Sequence, residues 1–319
     1  MEVGFLLSDP PVASLEDYLA RGGGAGLARA RSMDPADIID EIRDSGLRGR
    51  GGGGFPTGRK WASVRQGGGQ HRYVVCNGAE GEPATFKDRA LLRANPYLVV
   101  EGAVIAAVAV EASEVFLAVK SSFGREREAL SRALEEMGGA DLLGDAPVRL
   151  VVGPEEYLFG EEKALLEVIE GNEPLPRWLP PYLHGLFVTE PQLGWDAHDT
   201  EEGHQDEHEA NPTLVNNVET LANVPHILAR GSAWFRSLGT AESAGTVVCT
   251  VVGDVARPGV VELELGTPLE KLLEQCGGAL PGRTIRAVLS GVSNPALTSD
   301  QLDTPLSYEA MEAAGSGLG

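Results

Sequence analysis

Tyr73-Val74-Val75-Cys76-Asn77-Gly78-Ala79-Glu80-Gly81-Glu82-Pro83 is the stretch on which the fold turns. Its first residues are a short apolar run, and the remainder is small, acidic and closed by proline. That is the pattern of a buried strand leading into a turn. A strand apolar on both faces belongs in a parallel sheet covered on both sides. Open α/β sheets place ligands beyond the carboxyl ends of such strands. The polar residues at that end here are Asn77, Glu80 and Glu82. An Asn amide both donates and accepts, which suits the edge of a heteroaromatic ring or a carboxamide. Two acids in a glycine-rich turn suit ribose hydroxyls, and a solvated acidic turn is the competing reading.

The flanking segments support the sheet. Residues 96–110 form an apolar helix, 114–120 a strand, 125–137 an amphipathic helix with Leu130 and Leu134 inward, 148–152 a strand, and 161–170 a helix ended by Gly171. Strands alternating with helices predict an α/β fold, a Rossmann-like parallel sheet. Upstream, 14–30 is a helical lead-in interrupted at Gly22-Gly23-Gly24. Asp34-Pro35 then starts a helix with Ile38, Ile39 and Ile42 on one face. Helical character returns over 215–231. From about 245, strands at 247–252 and 260–265, a helix at 268–276 and a strand at 285–289 predict a small β-grasp α+β unit. The expected division is therefore 1–240 and 241–319, with no internal repeat.

Three further stretches carry polar chemistry. Gly49-Arg50-Gly51-Gly52-Gly53-Gly54-Phe55-Pro56 satisfies a G-x-G-x-x-G spacing, yet no strand precedes it and Phe55-Pro56 stands where a helix should open. Arg50, Arg59 and Lys60 put three cations beside this loop. A phosphate accounts for them; ion pairing with surface acids is the alternative. Tyr157-Leu158-Phe159-Gly160-Glu161-Glu162 follows a strand and opens a helix, where glutamates are ordinary partners of the helix dipole. Val215-Asn216-Asn217 stands early in the helical stretch, as a cap or as a source of free amides.

Composition narrows the classes. Asp and Glu number 47 against 26 Lys and Arg, a formal charge of -21 over 319 residues. Such a surface repels nucleic acid and anionic membrane. Cys76, Cys249 and Cys276 include no C-x-x-C pair, which predicts neither a disulfide framework nor an all-cysteine metal site. The apolar run from Leu98 is too short to cross a bilayer and contains Glu101. With no signal-like N-terminus, a cytoplasmic protein is expected. His198, His204 and His208 lie in an acidic stretch at 195–209 that reads as a solvated loop rather than a metal site.

Residues 49–61 resemble the glycine-rich signature G-R-G-G-A-G-F-P-T-G-L-K-W of the 51 kDa-type flavoprotein subunit of respiratory complex I. Residues 77–89 resemble its N-A-D-E-G-E-P-G-T-F-K-D-R, 157–171 its Y-I-C-G-E-E-T-A-L-L-E-S-L-E-G, and 212–225 its P-T-V-V-N-N-V-E-T-L-A-N-V-P. Flavin subunits of NAD-linked hydrogenases and formate dehydrogenases share these motifs. The resemblance implies FMN held by Gly49, Arg50, Gly51, Gly52, Lys60, Asn77, Glu80, Tyr157, Gly160, Glu161, Val215, Asn216 and Asn217. It implies NADH lined by Phe55, Glu82, Glu162 and Tyr182. The flavin takes the hydride, so no side chain is catalytic, and the electrons pass to a thioredoxin-like 2Fe–2S subunit in a complex peripheral to the membrane. The family's 4Fe–4S domain has no counterpart here, and no iron–sulfur cluster or other metal is expected in the chain. Ser63, Ala79 and Leu179 depart from the pattern on the NADH side. They leave two alternatives: an FMN oxidoreductase with another donor or an organic substrate, and a non-catalytic assembly subunit.

Overall fold

The computed structural model describes residues 4–188 and 210–319; the acidic stretch with His198, His204 and His208 lies outside them. The helical lead-in is two short helices. In α1 (Leu15–Ala20) the Ser14 hydroxyl caps the N-terminus by accepting from Asp17 N, and α2 (Ala25–Ala30) starts after Gly24, whose φ of 83° suits glycine. The helix α3 (Pro35–Ser45) has Pro at its start, buries Ile38, Ile39 and Ile42, and ends at Gly46 with φ 72°. One more helix, α4 (Thr57–Gln66), follows the glycine-rich loop. This corrects the expectation that Phe55-Pro56 excludes a helix there: Pro56 is itself the N-cap, and α4 begins one residue later.

The sheet then builds as predicted through β1 (Tyr73–Gly78), α6 (Pro96–Val110), β2 (Glu114–Lys120), α7 (Gly124–Gly139), β3 (Val148–Gly153) and α8 (Glu162–Ile169), with an unforeseen helix α5 (Lys87–Ala94) before α6 and a 3-10 turn at Tyr157–Gly160 before α8. A fourth strand, β4 (Thr213–Asn217), precedes α9 (Val218–Arg230) and α10 (Ser232–Arg236). The helical reading of 215–217 is thus corrected. Thr213, Leu214 and Val215 are buried and pair with β1, and the helix starts only where Asn217 caps it. All four strands are parallel, in the order β3-β2-β1-β4.

Both faces of this sheet are buried over β1, β2 and β4, with the alternation a strand requires, while the edge strand β3 is half-buried. Val74, Cys76, Val115, Leu117, Val119 and Leu214 join the main core with α6, α7 and α9. Tyr73, Val75, Phe116, Ala118 and Val215 join a second cluster with Phe159, Leu165 and Leu166 from the α8 side. The helix α6 is buried nearly all round, so its one acid is informative. Glu101 accepts from Tyr18 Oη at 2.5 Å, Gly24 N at 2.7 Å and Leu27 N at 2.8 Å, tying the lead-in to the core. Among the described residues no single helix is long and apolar enough to cross a membrane.

The C-terminal unit pairs β5 (Thr246–Val251) antiparallel with β6 (Gly259–Glu264) and packs α11 (Leu269–Gln275) beside them. The expected strand at 285–289 shortens to β7 (Ala287–Val288). It pairs with β8 (Leu297–Thr298) rather than with the first hairpin, giving a second small sheet. Leu289 at its end is 67% exposed, so nothing apolar extends the strand. The last helix is α12 (Tyr308–Ala313).

Two measurements check this packing. Glu101→Ala leaves three donors without their acceptor and is expected to cost roughly 3 kcal/mol or more in urea denaturation. His226 donates to Phe5 O (Nε2 to O 3.1 Å) and packs edge-on against the Phe5 ring. Burial, with the Arg230 cation second, pushes its pKa down to about 4 from 6.5. Between those values the unfolded chain binds more protons than the folded one. Stability therefore falls as pH drops through that window, and His226→Gln flattens the decline in Tm.

Candidate functional site

The chain leaves β1 toward β2 and β3, then returns to the opposite edge of β1 with β4. The carboxyl ends of β1 and β4 therefore flank the point where strand order reverses, which is where open α/β sheets leave a ligand crevice. The register sets Asn77 opposite Asn217 and Cys76 opposite Asn216. Burial pushes the Cys76 thiol up, and pushes Cys249 up to about 12, so neither supplies a thiolate at neutral pH.

Hydrogen bonds show which predicted residues meet. Asn77 Nδ2 donates to Gly160 O at 2.8 Å, and Asn77 Oδ1 accepts from Ala79 N at 3.1 Å. A Cβ on Gly160 would lie 2.9 Å from Ala79 O, so glycine is required for this approach. Glu161 caps α8 by accepting from Lys163 N and Ala164 N, at 2.8 and 2.9 Å. Its neighbour Glu162 pairs with Lys60 at 2.6 Å, joining α8 to α4. Trp61 Nε1, a donor only, holds Asn216 Oδ1 at 2.8 Å and joins α4 to β4. Tyr157 Oη donates to Glu82 at 2.9 Å, and Val292 N donates to the other oxygen of that carboxyl. Lys60, Asn77, Gly160, Glu161, Glu162 and Asn216 thus meet around one end of the sheet.

Other predicted residues stand apart from that ring. Val215 is buried within the sheet. Glu80 is turned to Asp88 N and Arg89 Nε at 3.0 and 2.9 Å; burial, with Asp88 second, raises its pKa. Phe55 is 51% exposed, with the Arg59 guanidinium 5.7 Å from its ring centroid. Tyr182 is 40% exposed in the turn after Pro181, and no hydrogen bond joins it to the ring.

Asn217 belongs to a buried charge cluster that sequence reasoning left without a role. Lys87 Nζ lies 2.8 Å from Asp88, 2.8 Å from Glu219 and 3.3 Å from Asn217 Oδ1. Asn217 Nδ2 donates to Asp88 at 2.7 Å, and its Oδ1 caps α9 at Glu219 N. Burial alone would lower the Lys87 pKa; Asp88 and then Glu219 outweigh it and keep the ammonium charged. Lys87 and Asp88 lie inside the 77–89 motif, a signal that pointed at the segment but not at the side chains' partners.

The glycine loop has a tied base and an open tip. Arg50 is 4% exposed, and its guanidinium reaches Ala244 O, Thr246 O and Arg48 O at 2.9, 3.1 and 3.0 Å. Gly49 N donates to Phe55 O, closing the loop at its neck. A Cβ on Gly51 would sit 3.3 Å from Asn217, whereas at Gly52 and Gly53 it would meet nothing within 4 Å. Among the described residues the amides of Gly51, Gly52 and Gly53 make no hydrogen bond. Thr57, in the first turn of α4, has a buried hydroxyl without a partner. Free backbone amides, an orphaned hydroxyl, a helix N-terminus and Lys60 form a donor set that fits the phosphate end of a flavin nucleotide. Among the described residues no group of three or more His, Cys, Asp or Glu is placed to hold a metal ion.

Asn217→Ala removes a helix cap worth about 1 kcal/mol and also takes one of the two donors from the buried Asp88 carboxylate, leaving it Lys87 alone. A total loss of about 2–3 kcal/mol is expected, read as a lower urea midpoint at unchanged slope.

Residues 42–226 match the Nuo51 FMN-binding domain, and 248–289 match the SLBB domain. An NADH-quinone oxidoreductase subunit of Streptomyces coelicolor is 39% identical over 317 residues, covering 96% of this chain and 66% of that protein. Its counterpart in Rhizobium meliloti is 37% identical, covering 96% and 70%. The NADP-reducing hydrogenase subunit HndC of Solidesulfovibrio fructosivorans is 35% identical, covering 96% and 60%. Among solved structures, a chain of an air-oxidised NAD+-reducing [NiFe]-hydrogenase superposes with a TM-score of 0.77 at 34% identity, over 96% of this chain and 50% of that one. The chain spans about two thirds of the curated relatives' length and half that of the solved chain.

Proposed function

Because the chain belongs to the family of complex I 51K-type FMN-binding proteins, we propose that it is an FMN-dependent module that oxidises a reduced nicotinamide dinucleotide and passes the electrons to an iron–sulfur partner. The observation that carries this reading is the meeting of α4, β1, β4 and α8 around the carboxyl ends of β1 and β4 through Lys60–Glu162, Trp61–Asn216 and Asn77–Gly160. When bound, FMN supplies acceptance of a hydride and its release as single electrons.

The chain's own residues bind and orient. The open amides of Gly51, Gly52 and Gly53, Thr57 Oγ1 and Lys60 hold the phosphate. Asn77, Asn216, Gly160 and the capped start of α8 form the rim for the ring system. Glu82 and Glu162 stand at the outer side, anchored by Tyr157 and Lys60, where they accept from ribose hydroxyls. Phe55, half exposed at the loop's exit, offers an aromatic face to the donor's adenine. The relatives are themselves subunits of oxidoreductases, which supports a partner subunit as acceptor; the motif resemblance makes a 2Fe–2S protein, in a complex at the membrane periphery, the partner of this reading.

The reading that keeps FMN but changes the donor draws on Ser63. Its hydroxyl bonds back to Arg59 O, so it offers no aromatic face. The two readings separate in one experiment. The protein is reconstituted with FMN and titrated anaerobically with NADH and with NADPH, following the flavin absorbance. Rapid bleaching by NADH is expected; flavin bands that persist under both donors overturn nicotinamide oxidation, and absence of FMN binding overturns the whole reading. Lys60→Met is expected to raise the FMN Kd about tenfold. Ser63→Phe is expected to lower KM for NADH about threefold or more with kcat little changed, the signature of added uniform binding.

A further inference from the structure

The open tip of the glycine loop is held from behind by the C-terminal unit, and the hold is specific. Tyr308, the first residue of α12, donates its hydroxyl to Gly49 O at 2.9 Å. The Arg48 guanidinium lies over the Tyr308 ring, 4.2 Å from its centroid. A Cβ on Gly54 would meet that ring at 2.5 Å, and Gly54 has φ 57°, so the ring and the loop's return are fitted to one another. Arg50 reaches the same unit through Ala244 O and Thr246 O, and its own amide donates to Thr220 Oγ1 at 2.8 Å. The ring is itself held in place, because Tyr308 N donates to Ser243 Oγ and Ser243 Oγ donates to Glu309.

The consequence is a loop tied by hydrogen bonds at residues 48–50 and 54–56, with no such tie to the amides of Gly51–Gly53 among the described residues. Four adjacent glycines would otherwise sample many backbone states, each to be lost when amides converge on a phosphate. Ordering the base before the ligand arrives lowers that cost at binding. Arg50 adds charge: it has no carboxylate partner among the described residues, and its cation sits at the foot of the loop.

We propose that Tyr308 and Arg50 are positioning residues that set the glycine loop in its phosphate-binding form, so that the C-terminal unit governs affinity for the phosphate end of FMN. This rests on the FMN-binding function proposed for the chain. It assigns Arg50 a role through the loop's backbone and through its charge, not through its guanidinium touching the ligand.

The test compares FMN with riboflavin, which lacks the phosphate. Both are titrated by fluorescence into the flavin-free full chain, wild type and Tyr308→Phe, with Tm measured on each. The variant removes one hydroxyl and keeps the ring. The expected result is an FMN Kd raised about tenfold (about 1.4 kcal/mol), with riboflavin affinity and Tm little changed. Arg50→Lys, which keeps the charge but not the fork, is expected to lose part of the FMN preference, and Arg50→Met more of it. An unchanged FMN-to-riboflavin ratio in Tyr308→Phe overturns the inference while leaving the FMN reading intact. Equal weakening of both ligands also overturns it, since that is the mark of general loosening. A wild-type chain that binds neither flavin removes the reading and this inference together.

Discussion

The pairing of β4 with β1, on the edge away from β2, is the constraint that creates the site. It sets Asn77 beside Asn217 and opens the crevice between two carboxyl ends. It also brings the start of α9 against the 77–89 turn, so that Lys87, Asp88, Asn217 and Glu219 close on one another in the interior. Remove that pairing and neither the cap of α9 nor the charge cluster has a partner. The strands β2 and β3, on the other side of β1, widen the sheet but add no predicted ligand residue.

Charge is handled differently in the interior than at the surface. The chain carries a formal charge of -21, yet the cations at this end of the sheet are largely buried and fully partnered. Lys87 lies between two carboxylates, and Arg89 is paired with Glu80. Arg50 takes the other solution, filling its donors with backbone carbonyls. Among the described residues its charge is not neutralised by an acid, and it lies beneath the glycine loop, beside Arg48 and Arg59, whose guanidiniums lie over the rings of Tyr308 and Phe55. An anionic ligand approaching so acidic a protein meets its attractive field there, from Arg50 and from Lys60 at the start of α4.

The sequence carried the elements whose signal is local. Strands β1, β2 and β3 and helices α6, α7 and α8 are apolar or amphipathic runs of the right length, and the structure reproduces them. What was not legible depends on a partner far away in the chain. The last three residues of β4, Val215 to Asn217, read as a helix start; only pairing with β1 over residues 73–77 makes them part of a strand. The glycine loop's arginines read alike in one dimension. The structure separates them, with Arg50 turned inward to carbonyls and Arg59 outward over Phe55. The third strand of the expected β-grasp sheet shortened: Ile285 and Val288 pack on the small core, but Leu289 at its end is exposed. Tyr308 carried no signal at all, since its importance lies in a contact with Gly49, 259 residues earlier.

The polar rim also limits what kind of molecule it can take. Most of the predicted ligand groups are already satisfied by one another: Asn77 by Gly160 and Ala79, Glu161 by α8, Glu82 by Tyr157 and Val292. These contacts fix the rim's shape at the expense of its capacity to form new bonds. The groups left over are nearly all donors: three loop amides, the Thr57 hydroxyl, and the amide nitrogen of Asn216, whose oxygen Trp61 holds. Lys60 joins them, since its pair with Glu162 uses one of the ammonium's three donors. On the proposed reading, such a set of donors with one anion-binding end favours an acceptor-rich ring carrying a phosphate over a cationic or donor-rich substrate. The acids that remain, Glu82 and Glu162, stand at the outer side, where a second molecule with hydroxyl donors can meet them. The division between inner donors and outer acceptors is thus set by hydrogen bonds already present in the protein, before any ligand enters.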